Sequence, residues 1–282
     1  MKAGRGEAAA GPPPGAPRDG EHARPVRRVA VGDVLLDDLT LHEAVAGFDR
    51  AIARGARGWG YVVPVNVDVV VRYRQDAAFR VACERAALRV ADGMPVVWAT
   101  RLLGRPLRAR VTGADLLPAL CRSAAARGHT VFLLGGRPGV AHMAAGRLAD
   151  RFPGLQVAGA YSPPDSFEPE GEAAEAAVLA VNAVKPSLLF VALGSPKQEL
   201  WVHRHWDRLD TIVAVCVGAA IDFAAGTRAR APDWMQQAGL EWLWRLAREP
   251  GRLWRRYLVQ DAAFLGIILK EWWSERIKIS ER

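Results

Sequence analysis

Several familiar chemical signatures are missing from this 282-residue chain. There is no D-x-D, the metal-binding pattern of many nucleotide-sugar enzymes, and no G-x-x-x-x-G-K-[ST] phosphate loop. Gly135-Gly136-Arg137-Pro138-Gly139 does not fit G-x-G-x-x-G. These absences disfavour phosphate-loop phosphoryl transfer and ordinary dinucleotide redox chemistry. His203 and His205 stand two apart and would diverge on a helix, so no metal spacing is seen and no cofactor is expected. Cysteine is scarce: Cys83, Cys121 and Cys216 are far apart and form no C-x-x-C, which excludes a disulfide framework and suits three buried thiols. Long apolar runs are also lacking. Thr211–Ile221 and Ala262–Leu269 fall well short of the roughly 18 residues of a membrane span. The first residues have no continuous apolar core of the secretory kind. They are rich in Gly, Pro, Ala and Arg and are expected to form a disordered basic tail over 1–28.

What is present is a hydrophobic chain (50%) of net charge +8, long enough to bury a large core and inclined toward an anionic partner. Val29–Leu36 alternates like a strand. Thr40 to Ala56 suits a helix, with Thr40 and Glu43 in a capping-box pattern. Gly60–Val65, Thr130–Leu134, Leu188–Leu193 and Thr211–Val217 are apolar strand candidates, and helices are expected between them. The fold class is therefore α/β: a Rossmann-like, mainly parallel sheet with helices on both faces over 29–227. Ligands in such sheets sit at the carboxyl ends of strands, where the loops containing Gly136, Gly194 and Gly218 fall. After Thr227 the composition shifts. Seven arginines face three acids up to Tyr257, and six of the ten tryptophans lie between Trp234 and Trp273. Residues 228–282 are expected to form a helical appendage with a break at Pro250-Gly251. On a single helix after that break, Trp254, Tyr257, Leu258, Leu265, Ile268, Leu269 and Trp272 would share one face. Basic residues at its start would suit an anionic membrane surface.

Four motifs carry candidate chemistry. Asp92 precedes Gly93 at the end of an apolar segment, so it belongs to a turn; it can serve as a base or accept bonds from its own turn amides. Asn66 follows the 61–65 run and can bond a sugar hydroxyl or cap a turn, an ambiguity Asp68 shares. Arg110, in a loop leading to a helix near Asp115, can fork onto a phosphate or carboxylate or remain a surface arginine. Gly194-Ser195-Pro196-Lys197-Gln198-Glu199 leads into a helix whose N-terminal amides, with Lys197 and Gln198, suit a diphosphate; the alternative is a solvated first turn.

Taken in order, VPVNVDVVV (63–71), ADGMPVVW (91–98), RVTGAD (110–115), VFLLGG (131–136), LGSPKQELW (193–201), VGAAIDFAAGT (217–227) and the stretch 230–258 resemble the WecG/TagA/CpsF family of glycosyltransferases. The resemblance implies an inverting, metal-independent enzyme that moves a sugar from a UDP-sugar donor to an undecaprenyl-diphosphate-linked sugar acceptor in cell-surface polysaccharide synthesis. It places the base on Asp92, a substrate-contacting amide on Asn66, an active-site arginine on Arg110 and a second amide on Gln198. It places appendage arginines on Arg245, Arg252 and Arg255, brought to the active site at the membrane. With Gly136, Gly194 and Lys197, these form the expected substrate and UDP site. The implied location is cytoplasmic, peripheral to the inner face of the cell membrane, and self-association is known in the family. One departure is Pro64, where family members often have Thr. A competing class, a Rossmann-like nucleotide-binding or redox protein, accounts for the glycine loops but not for the Trp/Arg-rich end. No nucleic-acid motif appears, so nucleic acid is not an expected partner.

Overall fold

The computed structural model describes residues 26–55, 58–255 and 262–280; the expected basic tail lies almost wholly outside them. The chain opens with strands β1 (Arg28–Val31) and β2 (Val34–Asp37), paired antiparallel. The single strand expected over Val29–Leu36 is thus a hairpin. Gly32 and Asp33 both take positive φ (56° and 74°), the geometry that lets a two-residue turn match strand twist. Helix α1 (Leu41–Ala53) follows, with the expected capping box of Thr40 and Glu43 in place.

The central sheet consists of β3 (Gly60–Val65), β4 (Leu88–Ala91), β5 (Thr130–Gly135), β6 (Gln156–Tyr161), β7 (Leu188–Ala192) and β8 (Val213–Cys216). Their order is β4-β3-β8-β7-β5-β6, and every pairing is parallel. The connecting helices are α2 (Val67–Gln75), α3 (Ala77–Glu84), α4 (Met94–Leu102), α5 (Gly113–Arg127), α6 (Val140–Arg151), α7 (Glu172–Val184), α8 (Lys197–His205) and α9 (Ala220–Ala225). The fold is α/β, as the sequence pattern predicts.

Side chains alternate between the two faces of each strand, and both faces are covered. Tyr61, Val63, Leu189 and Val191 pack with α2, α3, α7 and α8. Val62, Leu188, Phe190 and Val215 pack with α1, α5, α6 and α9. The three cysteines are buried and free. Adjacent strands β3 and β8 send their following helices to opposite faces, which parts the loops at their carboxyl ends and is the usual place for a ligand. Pro64 is buried in β3, beyond Val62, the last residue paired with β8. Its missing N–H therefore removes no bond from that ladder.

The C-terminal part comprises α10 (Asp233–Gln237), α11 (Glu241–Arg248), α12 (Pro250–Arg255) and α13 (Ala262–Ser280). The expected helix boundary at Pro250 separates α11 from α12. The single apolar face predicted beyond it is not what forms. In α13, Phe264 and Ile268 are buried in the body's core and Trp272 packs on it, whereas Leu265, Leu269 and Trp273 are exposed. Apolar residues surround this helix, so periodicity could not select the inward stripe. Tyr257 and Leu258 lie outside the described residues. Glu271 fastens α13 to the hairpin by accepting from the Gly32 amide at 2.9 Å and pairing with Arg105. Among the described residues, no helix is long and apolar enough to cross a membrane.

Candidate active site

Asp92 follows β4 directly, and its amide donates to Val65 O of neighbouring β3 at 2.8 Å. Asn66, the residue after β3, is therefore at the end of the adjacent strand. Its Oδ1 accepts from the Val69 amide at 3.1 Å, making it the N-cap of α2, a bond that does not use its side-chain NH2. Asp68 is buried and lies 3.6 Å from Arg72. Past Asp92 the chain forms α4, loops back and passes β4 again, with the Val111 amide bonded to Ala91 O at 2.9 Å. That contact sets Arg110 beside the Asp92 turn. Thr112 then caps α5, donating from Oγ1 to Asp115 Oδ2 at 2.8 Å and accepting from the Asp115 amide at 3.0 Å.

The C-terminal part reaches the same place. Gly239 sits against Met94 and Trp98 so closely that a Cβ there would lie 2.6 Å from Met94 Cβ. Arg110 Nη1 donates to Gln236 O at 3.2 Å. Glu241 and Arg245, one turn apart on α11, both act electrostatically on Asp92. The Asp92 carboxyl is pushed up to about 6, first by burial and then by the Glu241 charge; Arg245 and Arg110 pull it down and Asp115 raises it. A carboxyl ionised just below neutral pH is a stronger proton acceptor than an ordinary one and is still charged when needed.

In the β7 and β5 loops the expected residues have partners within the protein. Gln198 is buried; its Oε1 accepts from the Gly218 amide at 3.2 Å and its Nε2 donates to Glu199 at 2.7 Å. It ties the β7 loop to the β8 loop. Burial raises the Glu199 carboxyl above the usual carboxylate range, while the bond from Gln198 lowers it. Lys197 is turned to the loop after β6, donating to Phe167 O at 2.6 Å and Glu168 at 2.8 Å. Gly194 accepts from the Gln198 amide at 2.9 Å through its carbonyl, and the Gly136 amide donates to Ala192 O at 3.2 Å. Neither the Gln198 nor the Gly136 amide is thus left over for an anion. Gly135 allows this close approach of β5 and β7, since a Cβ there would lie 2.3 Å from Ala192 O. The side chains of Arg252 and Arg255 lie outside the described residues, although both positions fall on α12.

The structure therefore gathers Asp92, Asn66, Arg110 and Arg245 at the β3–β4 end of the sheet. It adds three residues that the motifs did not assign: Asp115, Arg230 and Glu241. Among the described residues no group of three or more His, Cys, Asp and Glu is arranged to hold a metal ion. Arginines face the carboxylates instead. Residues 29–278 match the model described as the glycosyl transferase WecG/TagA/CpsF family. The chain belongs to this family. It is accordingly a glycosyltransferase. A relative from Bacillus spizizenii, named N-acetylglucosaminyldiphosphoundecaprenol N-acetyl-beta-D-mannosaminyltransferase, is 32% identical over 83% of this chain and 86% of its own length. A Staphylococcus aureus protein of the same name is 28% identical over 81% of this chain and 87% of its own. In this family member, five of the seven motifs mark the carboxyl ends of β3, β4, β5, β7 and β8, RVTGAD leads into α5, and 230–258 spans α10 to α12.

Proposed function

We propose that the protein transfers a sugar from a UDP-sugar to an undecaprenyl-diphosphate-linked sugar in cell-surface polysaccharide synthesis, inverting the anomeric centre without a metal. The observation that carries this reading is a carboxyl of raised pKa, Asp92, at the carboxyl end of β4 in a parallel sheet and under the charges of Glu241, Arg245 and Arg110. Asp92 takes the proton of an acceptor hydroxyl as that oxygen bonds to the donor C1 and the bond from C1 to the UDP oxygen breaks. Negative charge then grows on the departing phosphate. Arg245, with Arg252 and Arg255 from α12, supplies permanent positive charge matched to phosphate geometry. Asn66 offers its NH2 to a sugar hydroxyl, and the Gln198 bridge holds the β7 and β8 loops.

The relatives' names support N-acetylmannosamine as the donor sugar and N-acetylglucosamine as the acceptor sugar. A lipid-linked acceptor sets the enzyme at a membrane surface, and a nucleotide-sugar donor, made in the cytoplasm, favours its cytoplasmic face. The exposed Leu265, Leu269 and Trp273 of α13, with Trp254 of α12, support an interfacial contact. The appendage over 228–282 thus both completes the active site and meets the lipid. Homo-oligomers would cover the same apolar face. A screen of UDP-sugars against a synthetic lipid-diphosphate N-acetylglucosamine acceptor, scored by UDP release, tests the reading. Release is expected with UDP-N-acetylmannosamine; no release with any UDP-sugar overturns it.

A further inference from the structure

Beside the base, four charged side chains close into a ring. Arg110 Nη2 lies 3.6 Å from Asp115 Oδ2, and its Nη1 lies 3.9 Å from Glu241 Oε2. Arg230 Nη2 lies 2.8 Å from Asp115 Oδ1, and its Nε lies 3.8 Å from Glu241 Oε1. Arg110 and Asp115 belong to the sheet domain, whereas Arg230 and Glu241 belong to the C-terminal part. All four side chains are between 17% and 26% exposed, so the ring is sheltered yet reachable from solvent.

The ring is electrically balanced but poorly bonded. Arg230 Nε and Nη2 are buried and meet no carboxylate in hydrogen-bonding geometry: Nη2 reaches Asp115 Oδ1 at 2.8 Å without the alignment of a hydrogen bond, and Nε stays 3.8 Å from Glu241. A buried charged donor whose acceptors are distant or misaligned recovers only part of the cost of leaving water. Two guanidinium forks around one centre would be better served by phosphate oxygens, which present acceptors in several directions. The two carboxylates are not held equally. Asp115 sits in the first turn of α5 and is fixed by Thr112. Glu241 starts α11 and meets the ring only at 3.8 and 3.9 Å. It is also one helical turn from Arg245, which acts electrostatically on the base.

We propose that Arg110 and Arg230 are a diphosphate-binding pair and that the Glu241 carboxylate holds the place which the donor's phosphates take by exchange. The proposal rests on the sugar-nucleotide reading for the identity of the ligand, and on the ring alone for the anion site. The ring as it stands is neutral, so a diphosphate can join the arginines only if a carboxylate leaves. Glu241 is the one free to do so. Its departure also couples binding to a movement of α11, and hence to the placing of Arg245.

The test is calorimetric titration of the full chain with UDP and, separately, inorganic pyrophosphate, at constant ionic strength. Arg230→Met is expected to weaken both ligands at least about tenfold, and Arg230→Lys to recover only part of the loss because it lacks the fork. Glu241→Gln is expected to tighten both several-fold. A mere brace between domains would give the opposite sign, so weaker binding by a folded Glu241→Gln variant overturns the exchange. UDP affinity unchanged in Arg230→Met overturns the pair and leaves the transferase reading intact. Should Arg230→Met fail to fold, the sign of the Glu241→Gln effect decides. Pyrophosphate binding that depends on Arg230, with no UDP binding by the wild type, upholds the anion site and sinks the nucleotide.

Discussion

The sheet domain and the C-terminal part are held by different forces. Strands β7 and β8 lie inside the sheet with every side chain buried, and both faces are sealed by apolar helices. The segment after Thr227 leaves tryptophans at 234, 242, 254 and 273 exposed. It attaches through a few apolar anchors, Phe264 and Ile268 among them, and through the ion pairs Arg110–Glu241, Arg230–Asp115, Arg228–Asp222 and Arg105–Glu271. The first arrangement makes a rigid platform. The second makes a part that can shift at modest cost, as suits a module that must both close on a substrate and meet a lipid.

That contrast can be broken or sharpened by substitution. Phe190→Ala, in the middle of β7, should cost about 3–5 kcal/mol and lower the denaturation midpoint of the whole chain. A loss confined to the C-terminal helices would erase the distinction. Asp92→Asn should act in the other direction. Because the folded carboxyl titrates near 6, above its ordinary value, its favourable contribution holds at low pH and is lost as pH rises through 6. The Asn variant should therefore be more stable than wild type at pH 7–8, by on the order of 2–3 kcal/mol, with the gap closing toward pH 4. Thermal melts across that range measure it, and a gap that widens on acidification contradicts the assignment. Ile268→Ala should cost about 2 kcal/mol, seen as faster hydrogen exchange in α13 while the strands stay protected. Glu271→Gln, losing one carboxylate acceptor and an ion pair, should cost about 1 kcal/mol and loosen the same helix. Uniform loss of protection in either variant would mean that the helix is part of the cooperative core.

Much of the platform was legible from local pattern. The apolar runs ending at Val65, Leu134, Leu193 and Val217 are strands or their immediate ends, and Thr40 with Glu43 is the cap they spell. β4 and β6 were harder: β4 is only four residues long, and β6 carries a glycine and half-buried side chains. The hairpin at Gly32-Asp33 hides inside an alternating stretch because its two-residue turn keeps the alternation going. For the site, Asp92, Asn66 and Arg110 could be named because each ends a strand or precedes a helix cap. Lys197 has the right position for an anion, but Glu168 and Phe167 claim it, and nothing local foretells a partner about thirty residues away. Asp115, Arg230 and Glu241 are common charged residues whose meaning comes from long-range assembly. RVTGAD contains Asp115, and 230–258 contains the other two, but no spacing rule links them.

The assignment of the base is tested most directly by measuring sugar transfer and UDP affinity in the Asp92→Asn variant beside wild type. The predicted result is a loss of about 10²–10⁴-fold in turnover with UDP affinity nearly unchanged, and a wild-type rate that falls on acidification through about pH 6. Turnover retained by the Asn variant would contradict it.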